Sequence, residues 1–328
     1  MESVKAGLVG LGWWGAELLR GARAASAVAI TTCHARRPEA RSTFAAEHGL
    51  RPVASFEEML TDPDTEAVII ATPHSTHAEL VLAACEAGKH VFVEKPFVMS
   101  VADGRRCVAA AERAGVVLQV GHQRRRQPAN RRIGAMIDEG VLGAVVALEA
   151  NFSSPGGGRA GPADWRQDPS ERPFSGLTPF GVHVIDTFHF LVGPIRSVVA
   201  MSTRPVGKTR LDDAAVLAFE FESGAVGTLV TSTTIPATNR VGVLGTESAA
   251  WNDRDGRRLL VQSTADKAPR EEAVEQLDTI ADQMSEFARC VRTGERPEVD
   301  GRVGLRVVAV MEAALASMKG AMAGVEEV

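Results

Sequence analysis

The chain has 328 residues and a mass of 34.8 kDa, which is too long for one ordinary domain and suits two. Apolar residues make up 45% of it and charged residues 23%, a mixture typical of a globular protein and not of a disordered or fibrous one. There is no tyrosine, so any mechanism in which a tyrosine hydroxyl donates the proton is excluded. Lysine is scarce among the 36 basic residues, and a catalytic lysine has to be one of Lys5, Lys89, Lys95, Lys208, Lys267 and Lys319.

Charge and cysteine content exclude further classes. The net charge of −5 gives no general attraction for nucleic acid or an anionic membrane, and we expect neither as a partner. The cysteines lack CxxC spacing, which indicates small buried thiols in a reducing compartment, and neither zinc ligands nor disulfides. The first residues run straight into an apolar strand, and no apolar run reaches the ~18 residues of a membrane span. We therefore expect a cytoplasmic protein without a signal peptide.

Short apolar strands alternate with helices in the first part of the chain. Strands are predicted over 4–9, 28–33, 67–71, 90–93 and 116–120, and helices over 16–25, 38–48, 56–60, 77–87 and 101–114. The strands show no polar alternation, as expected where helices cover both faces of a sheet. This pattern predicts an α/β domain with a doubly wound parallel sheet over residues 1–121.

The pattern changes after Gly121. A helix is predicted over 124–139, a strand over 143–152, a long Gly/Pro-rich loop over 153–175 and a helix over 178–191. Strands follow over 197–203, 214–222, 225–233 and 240–245, with a hairpin turn at Ser223-Gly224, and helices over 279–293 and 304–318 close the chain. Consecutive antiparallel strands after a parallel half predict a second, α+β domain over residues 122–328.

A glycine motif lies between the first strand and the first helix. Gly10-Leu11-Gly12-Trp13-Trp14-Gly15 has the spacing G-x-G-x-x-G. In such a loop the first glycine makes the tight turn, the second lets backbone N–H groups approach a pyrophosphate, and the third lets the helix pack on the strand. The motif in this context predicts a dinucleotide site, and an ordinary tight turn is the alternative.

The end of the second strand bears on the choice of cofactor. A carboxylate here would accept a hydrogen bond from the ribose 2′-OH and repel a 2′-phosphate. The chain instead has Ala35 followed by Arg36 and Arg37, and the first carboxylate is Glu39. This favours NADP over NAD, with Arg36 the first candidate for the 2′-phosphate and Arg37 the second, unless both are simply solvated.

Two further strands end in polar segments, Thr72-Pro73 and Glu94-Lys95-Pro96. Ligands of doubly wound sheets bind at the carboxyl ends of the strands, so the topology brings Lys95 close to the nicotinamide. There a lysine can donate a hydrogen bond to a substrate oxygen and help to relay a proton. A surface charge before a proline is the alternative.

The chain resembles the Gfo/Idh/MocA oxidoreductases. The resemblance is carried by Gly7–Gly15, Ala71–His77, Ala87–Pro96, Gly181–Asp186 and Gln283–Phe287. It implies a Rossmann domain over 1–121 and a substrate-binding and oligomerisation domain with an open, mostly antiparallel sheet over 122–328, in a homodimer or homotetramer. It also implies reversible hydride transfer between NAD(P) and a secondary carbon of a sugar, cyclitol or related polyol.

The resemblance also implies roles for single residues. Lys95 would be catalytic, its bond to Pro96 is often cis in such proteins, and Thr72 and Pro73 would lie beside the nicotinamide. Glu94 and His77 join the candidates for cofactor binding, although packing at the helix start is the interpretation that we favour for His77.

The substrate-side candidates are His183 and Asp186, which share a face of the predicted helix 178–191. His183 is a candidate to take the hydroxyl proton. The family has an aspartate four residues before this histidine, whereas this chain has Pro179, and Thr178-Pro179 fits a helix N-cap and first residue. Asp186 or the Thr178 hydroxyl would then orient His183, or His183 merely packs between domains. No third ligand is spaced for a metal.

The remaining candidates are basic and aromatic. Arg124-Arg125-Arg126 and Arg131-Arg132 lack interleaved aromatic residues, which argues against nucleic-acid binding. In the family this stretch borders the active site, so His122 and Arg124 are substrate-binding candidates, with the other arginines solvated. Trp165-Arg166 offers a stacking surface and a cation that suit a sugar. The alternative is that Trp165 is buried and only anchors the loop.

Two functions of other classes stay open at this point. Some proteins of this fold bind a dinucleotide as regulators without turnover, which the missing aspartate at position 179 slightly favours. Others use a tightly held NAD to cleave glycosides by transient oxidation.

Overall fold

The computed structural model describes residues 2–155, 165–173, 176–207, 209–318 and 320. Gly156-Gly157-Gly158 and Ser175 of the predicted loop, and Lys208 and Lys319 among the candidate lysines, lie outside these residues. The described chain forms two compact units, 2–127 with 276–308 and 128–275 with 309–320.

The first unit is built on a six-stranded, wholly parallel sheet in the order β3-β2-β1-β4-β5-β6. This is the strand order of a doubly wound dinucleotide-binding fold. The strands are β1 (Val4–Val9), β2 (Val28–His34), β3 (Arg51–Pro52), β4 (Ala67–Ile70), β5 (His90–Val93) and β6 (Leu118–Val120). The helices between them are α1 (Trp13–Ala25), α2 (Pro38–His48), α3 (Phe56–Thr61), α4 (His77–Glu86) and α5 (Val101–Ala114).

Two clusters of buried apolar side chains explain why the strands are apolar throughout. Ile69 belongs to the cluster that contains Phe44 of α2, and its neighbour Ile70 to the cluster that contains Val81 of α4. Successive side chains of a strand point to opposite faces, so both faces of the sheet are packed. The predicted parallel α/β half is confirmed.

The second unit contains an eight-stranded sheet in the order β14-β13-β12-β11-β7-β10-β9-β8. All neighbouring pairs are antiparallel except β7 and β10, which run parallel. The strands are β7 (Val145–Ser153), β8 (Ile195–Thr203), β9 (Ala214–Phe221), β10 (Val226–Ser232), β11 (Thr238–Gly245), β12 (Ser248–Asp253), β13 (Arg258–Ser263) and β14 (Arg270–Glu272). The helices are α6 (Pro128–Asp138) and α7 (Val182–Val192).

Burial alternates along the strands of this sheet. On β9, Leu217 and Phe219 are buried, whereas Val216 and Ala218 are exposed. One face is therefore packed and the other is open, as is common for antiparallel sheets. The predicted open, mostly antiparallel sheet is confirmed.

The division of the chain differs from the expected boundary at 121/122. Helix α8 (Thr279–Thr293) and the start of α9 (Gly301–Met318) belong to the first unit. Gly21 of α1 lets α8 approach, because a Cβ there would lie 2.3 Å from Ile280 Cγ2. Phe287 of α8 also packs edge-on to Phe92 at 5.9 Å between ring centroids. The order of elements along the chain does not reveal that a late helix packs on an early one.

Two predicted helices are built differently. The helix predicted over 124–139 is a 3₁₀ turn at Gln123–Arg126 followed by α6, because Pro128 has no N–H for a continuing helix. The helix predicted over 178–191 begins with a π-helical turn at Leu177–Gly181. Thr178 is therefore inside a helical turn, and the prediction that it is the N-cap is wrong.

Within the described residues, no helix is both long and apolar enough to cross a membrane.

Candidate active site

The carboxyl ends of the parallel strands gather the polar segments of the first unit along one edge of its sheet. Backbone contacts tie these ends together: the Gly10 N–H donates to the His34 carbonyl at 3.1 Å, and the Gly121 N–H donates to the Val93 carbonyl at 2.9 Å. The residues that follow the strands are Gly10 after β1, Ala35 after β2, Ala71 after β4, Glu94 after β5 and Gly121 after β6.

The three glycines of the loop have different environments. Gly10 has φ +96°, and a Cβ there would lie 2.4 Å from the Ala71 carbonyl oxygen. A Cβ on Gly15 would lie 2.1 Å from the Gly10 carbonyl oxygen. Gly12 is exposed, and a Cβ there would meet no atom within 4 Å. The fold itself thus requires Gly10 and Gly15, whereas Gly12 keeps a space open above the start of α1.

This space suits the pyrophosphate of a dinucleotide. Gly12 is the N-cap of α1 without a side-chain cap, and the first turn of α1 carries no acidic residue. Free N–H groups and the helix dipole attract an anion at such an end. Trp13 is 71% exposed beside the space, whereas Leu11 and Trp14 are half-buried. The residues present therefore fit the cofactor that their motif predicts.

The two arginines after β2 are exposed. Arg36 and Arg37 precede α2, and Arg37 is its N-cap residue. Ala35 is half-buried and is held by Arg41, whose guanidinium donates to the Ala35 and Ala54 carbonyls at 3.1 Å each. The segment is thus anchored by Arg41, and the side chains of Arg36 and Arg37 face solvent.

His77 lies beneath the candidate nicotinamide segment. Its ring is fully buried, with Nδ1 2.9 Å from the Pro96 carbonyl and Nε2 3.1 Å from the Thr72 carbonyl. A neutral imidazole donates to one of these oxygens and a protonated ring to both. Thr72 and Pro73 remain half-buried at the strand end, and the hydroxyls of Thr72 and Thr76 are 2.7 Å apart. His77 therefore joins two strand ends, which supports the interpretation that it packs at the helix start, and its part in cofactor binding stays a prediction.

Glu94 and Lys95 differ in exposure although they are neighbours. The Glu94 side chain is 4% exposed, whereas Lys95 is half-buried and precedes the cis bond to Pro96. Glu94 Oε2 accepts a hydrogen bond from the Lys95 backbone N–H at 3.2 Å. Burial raises the pKa of the Glu94 carboxyl, while the charge of Lys95 and the Trp14 indole N–H act against this rise. The backbone of Glu94 is the part that a cofactor can contact.

The basic run after β6 is not a solvated face. Arg125 and Arg126 are each 5% exposed. Arg126 pairs with Asp282 at 2.7 Å and with Glu286, both on α8, while Arg125 lies 3.6 Å from Glu298. The prediction that these two arginines are solvated is wrong, because Arg126 binds the 3₁₀ turn to α8 and Arg125 lies against Glu298 in the segment between α8 and α9.

The two substrate candidates in this stretch are less exposed than expected. His122 is 1% exposed, and Arg124 is half-buried. Burial lowers the pKa of the Arg124 guanidinium to about 10, which leaves it a cation at neutral pH. In the second unit, Arg131 lies over the Phe190 ring at 4.9 Å, and Arg132 pairs with Glu139 at 3.0 Å.

His183, the proton-transfer candidate of the second unit, is buried near an aromatic ring. His183 is 4% exposed, Asp186 is 1% exposed, and the Phe152 and His183 ring centroids are 6.2 Å apart. Thr178 is fully buried, and its hydroxyl makes no hydrogen bond with any described residue. Thr178 therefore does not orient His183. Asp186, which follows His183 by three residues on α7, remains the candidate to orient the His183 ring. Pro179, at the position of the family's aspartate, lies in the π-helical turn.

The Trp165-Arg166 pair interacts with itself. The Arg166 guanidinium lies 4.5 Å from the centroid of the Trp165 ring, and both side chains are half-buried. Arg172, which is 6% exposed, donates to the Arg166 carbonyl at 3.3 Å. One face of the indole is thus covered by a cation of the same loop.

Sequence reasoning missed two residues that shape this edge. A Cβ on Gly121 would lie 2.6 Å from Glu94 Oε1, so the glycine makes room for the carboxyl group. Glu286 forms an ion pair with Arg126 and accepts a hydrogen bond from the Glu298 N–H at 2.9 Å. A glycine directly after a strand is a usable signal for Gly121, whereas Glu286 lies in the segment Gln283–Phe287 that carries the resemblance but does not reveal its pairing with Arg126.

Comparison with known sequences identifies both parts of the chain. Residues 4–122 match the family described as "Oxidoreductase family, NAD-binding Rossmann fold" (GFO_IDH_MocA), and residues 130–250 match the GFO/IDH/MocA C-terminal domain. Together the two matches include the strand-end residues and α7.

Individual relatives agree with this. A D-xylose 1-dehydrogenase (NADP(+)) of Haloferax volcanii is 30% identical over 85% of this chain and 86% of its own length. A 1,5-anhydro-D-fructose reductase of Ensifer adhaerens is 32% identical over 67% of this chain and 66% of its own length. A crystal structure from Desulfitobacterium hafniense, 28% identical, superposes with a TM-score of 0.91 and covers 97% of this chain and 96% of that one. The chain therefore belongs to the Gfo/Idh/MocA family of NAD(P)-dependent oxidoreductases, as its motifs indicated.

Proposed function

We propose that this oxidoreductase transfers a hydride between the nicotinamide of NADP and a secondary carbon of a sugar, cyclitol or related polyol. The observation that carries the proposal is the position of Lys95, two residues after the end of β5. β5 adjoins β4, which adjoins β1, so the lysine shares a sheet edge with the open loop at Gly12. The substrate class is supported by the relatives, whose names are those of sugar dehydrogenases and reductases.

The chain's own groups supply binding and orientation. The backbone of the loop Gly10–Trp14 and the start of α1 would hold the pyrophosphate, and Thr72-Pro73 would flank the nicotinamide. When bound, the nicotinamide supplies a carbon that accepts or releases hydride. Side chains of this protein would have to orient the substrate oxygen and move its proton.

Lys95 and His183 divide this work. The Lys95 ammonium would donate a hydrogen bond to the oxygen of the reacting carbon and stabilise the charge that develops there. His183 would take the hydroxyl proton in oxidation and return it in reduction, since histidine changes charge near neutral pH. Asp186, on the same helix, would set the orientation of the histidine ring. The candidates to contact the rest of the substrate are His122, Arg124 and the Trp165-Arg166 pair.

NADP is proposed as the preferred cofactor because of the segment after β2. Arg36 and Arg37 are exposed there, and no carboxylate is present to bind a ribose 2′-OH. A guanidinium binds a phosphate through paired charge-assisted hydrogen bonds. NAD would lose this interaction and bind more weakly.

A cofactor titration followed by a substrate screen tests the proposal. NADPH and NADH affinities are measured by fluorescence, and polyols and ketoses are then screened for absorbance change at the nicotinamide band. Turnover of at least one sugar-like compound with NADPH is expected. Tight NADPH binding without turnover of any compound contradicts it and favours a regulator, and an NAD that copurifies and is required favours a glycosidase.

We also propose that the open face of the second sheet joins two copies of this chain in a homodimer, or in a homotetramer built from such dimers. Exposed apolar side chains lie next to one another on neighbouring strands of this face. Large contiguous apolar patches are rare on the surface of monomeric proteins. The exposed apolar side chains are Val226 of β10, Val216 of β9, and Val199 and Met201 of β8. A shallow groove of about 510 Å³ lies among them, with Ala218 and Thr228 in its lining. A second copy would cover this surface.

A further inference from the structure

The Glu94 carboxyl group is enclosed behind the segment that carries Lys95. The side chain is 4% exposed, and Oε1 has no hydrogen-bond partner among the described residues. Oε2 is 3.2 Å from the Lys95 backbone nitrogen, from which it accepts a hydrogen bond. One oxygen thus anchors the backbone of the lysine, and the other is buried without compensation.

The enclosure is built by residues from three elements. Gly121, after β6, lies so close that a Cβ would be 2.6 Å from Oε1 and 3.0 Å from Cδ. Phe92 of β5 is fully buried beside the same glycine, and the Trp14 indole N–H of α1 faces the carboxyl group from the cofactor loop. Trp14 and Phe92 carry no charge. Among the described residues, Lys95 is the charged group that acts on this carboxyl.

A charged carboxylate in such a place is costly unless a cation compensates it. The protein interior solvates an ionised group poorly, so a buried carboxylate without full pairing destabilises the fold. Burial accordingly raises the pKa of Glu94, and the positive charge of Lys95 opposes this rise. By reciprocity, a negative charge at Glu94 must strengthen the hold of Lys95 on its proton.

We propose that Glu94 is a positioning residue for Lys95, which fixes the backbone of the lysine and keeps its side chain in the ammonium form through the charge of the enclosed carboxyl group. This inference rests on the proposed function of Lys95. It explains why an acid that no ligand can reach lies next to the lysine at the strand end. The ammonium form donates a charge-assisted hydrogen bond to a substrate oxygen, which is stronger than the hydrogen bond of a neutral amine.

The proton affinity of Lys95 is measurable without turnover. The full chain is labelled with acetic anhydride over a range of pH values, and acetylation of each lysine is followed by mass spectrometry, since the deprotonated amine alone reacts. Glu94→Gln keeps an oxygen for the Lys95 N–H but cannot carry charge. In this variant the pH of half-labelling should fall by at least about half a unit at Lys95. Lys5 and Lys89 serve as internal references in the same molecule and should not change.

Activity provides the second readout. The alkaline limb of kcat/KM against pH should move down in Glu94→Gln by the same amount, with NADPH affinity within about twofold of the wild type. Glu86→Gln, an exposed acid on α4, is the matched control and should leave both profiles unchanged. An unaltered labelling curve for Lys95 in a folded Glu94→Gln protein overturns the inference.

A reciprocal measurement covers the case in which Glu94→Gln does not fold. In Lys95→Met the infrared band of a protonated carboxylic acid should persist to higher pH than in the wild type, because the opposing charge is gone. Identical spectra would contradict the inference. Full activity of Lys95→Met would instead contradict the proposed function, and the labelling result would stand by itself.

Discussion

At the scale of single residues, three glycines of one loop are glycine for different reasons. Gly15 packs against the Gly10 carbonyl, and Gly10 has a positive φ, whereas a Cβ on Gly12 would meet no atom of the protein within 4 Å. Steric need within the fold therefore accounts for the first and third glycines of the motif. The second has no such steric reason, which supports the prediction that a ligand approaches the backbone there.

This difference separates the effects of two substitutions. Gly12→Ala should leave the unfolding free energy within about 0.5 kcal/mol of the wild type and weaken NADPH binding at least about tenfold. Gly15→Ala should destabilise the protein by roughly 2 kcal/mol or more, because its Cβ would lie 2.1 Å from a carbonyl oxygen. Denaturant unfolding and NADPH titration measure the two effects. Unchanged NADPH affinity in Gly12→Ala would mean that the loop does not hold the pyrophosphate.

Cofactor preference depends on one arginine in this account. Arg36→Glu places a carboxylate where the 2′-phosphate is expected, so the NADPH dissociation constant should rise at least about tenfold while that of NADH changes little. Arg113→Glu, an exposed arginine on α5, is the control for the general loss of positive charge. If NADH binds more tightly than NADPH in the wild type, the argument from Arg36 fails.

How far the sequence predicts this site depends on how local each signal is. The glycine loop and Lys95 are predictable, because motif spacing and strand topology place them without knowledge of packing. The burial of Glu94 and of His77 is not, since it depends on Gly121 and on Pro96, which approach only in the folded sheet. The N-cap prediction for Thr178 fails because Thr178-Pro179 has the residue types of a helix start, whereas a helical turn already begins at Leu177.

At the scale of elements, α8 is the part of the fold that sequence order hides. Its segment is strongly amphipathic and was predicted over 279–293, as the structure has it. The sequence does not predict what α8 packs against. In the structure α8 packs on α1 and forms ion pairs with Arg126 of the turn after β6. Ion pairs between remote segments leave no periodic signal in a sequence.

A second ion pair of α8 makes a pH prediction. Arg292 bonds Glu66, which precedes β4, at 2.5 and 3.0 Å, and this lowers the pKa of Glu66 from 4.5 to about 2. A carboxyl group whose pKa is lowered by folding stabilises the fold at pH values above its unfolded pKa. This stabilisation is lost as the pH falls through the pKa of the folded state. The pair is partly exposed, so its contribution is about 1 kcal/mol.

The wild type should therefore exceed Glu66→Gln in unfolding free energy by a constant amount above about pH 5.5, and the difference should vanish as the pH approaches 2. Denaturant unfolding at a series of pH values measures it. Glu57→Gln, an exposed acid on α3, should show no such difference. A gap between the wild type and Glu66→Gln that persists at the lowest pH would contradict the assignment.

At the scale of the whole molecule, the open sheet of the second unit makes a prediction about assembly. Val199 is 65% exposed on β8, so a charge there does not disturb the core of one copy. Val199→Glu should convert an oligomer into monomers, because an unpaired charge buried in an interface costs several kcal/mol. Light scattering measures the mass. Val206→Glu, 50% exposed outside the sheet, is the control, and a wild-type monomer would contradict the proposed surface.

The proposed function depends on Lys95, which among the described candidate lysines is the one that follows a strand at the cofactor edge. The most direct test compares Lys95→Met and the surface variant Lys5→Met in NADPH affinity and in kcat/KM with the best substrate of the screen. Lys95→Met should bind NADPH within about threefold of the wild type and lose at least about 100-fold in kcat/KM, while Lys5→Met matches the wild type in both. Turnover by Lys95→Met at the wild-type rate would contradict the central claim.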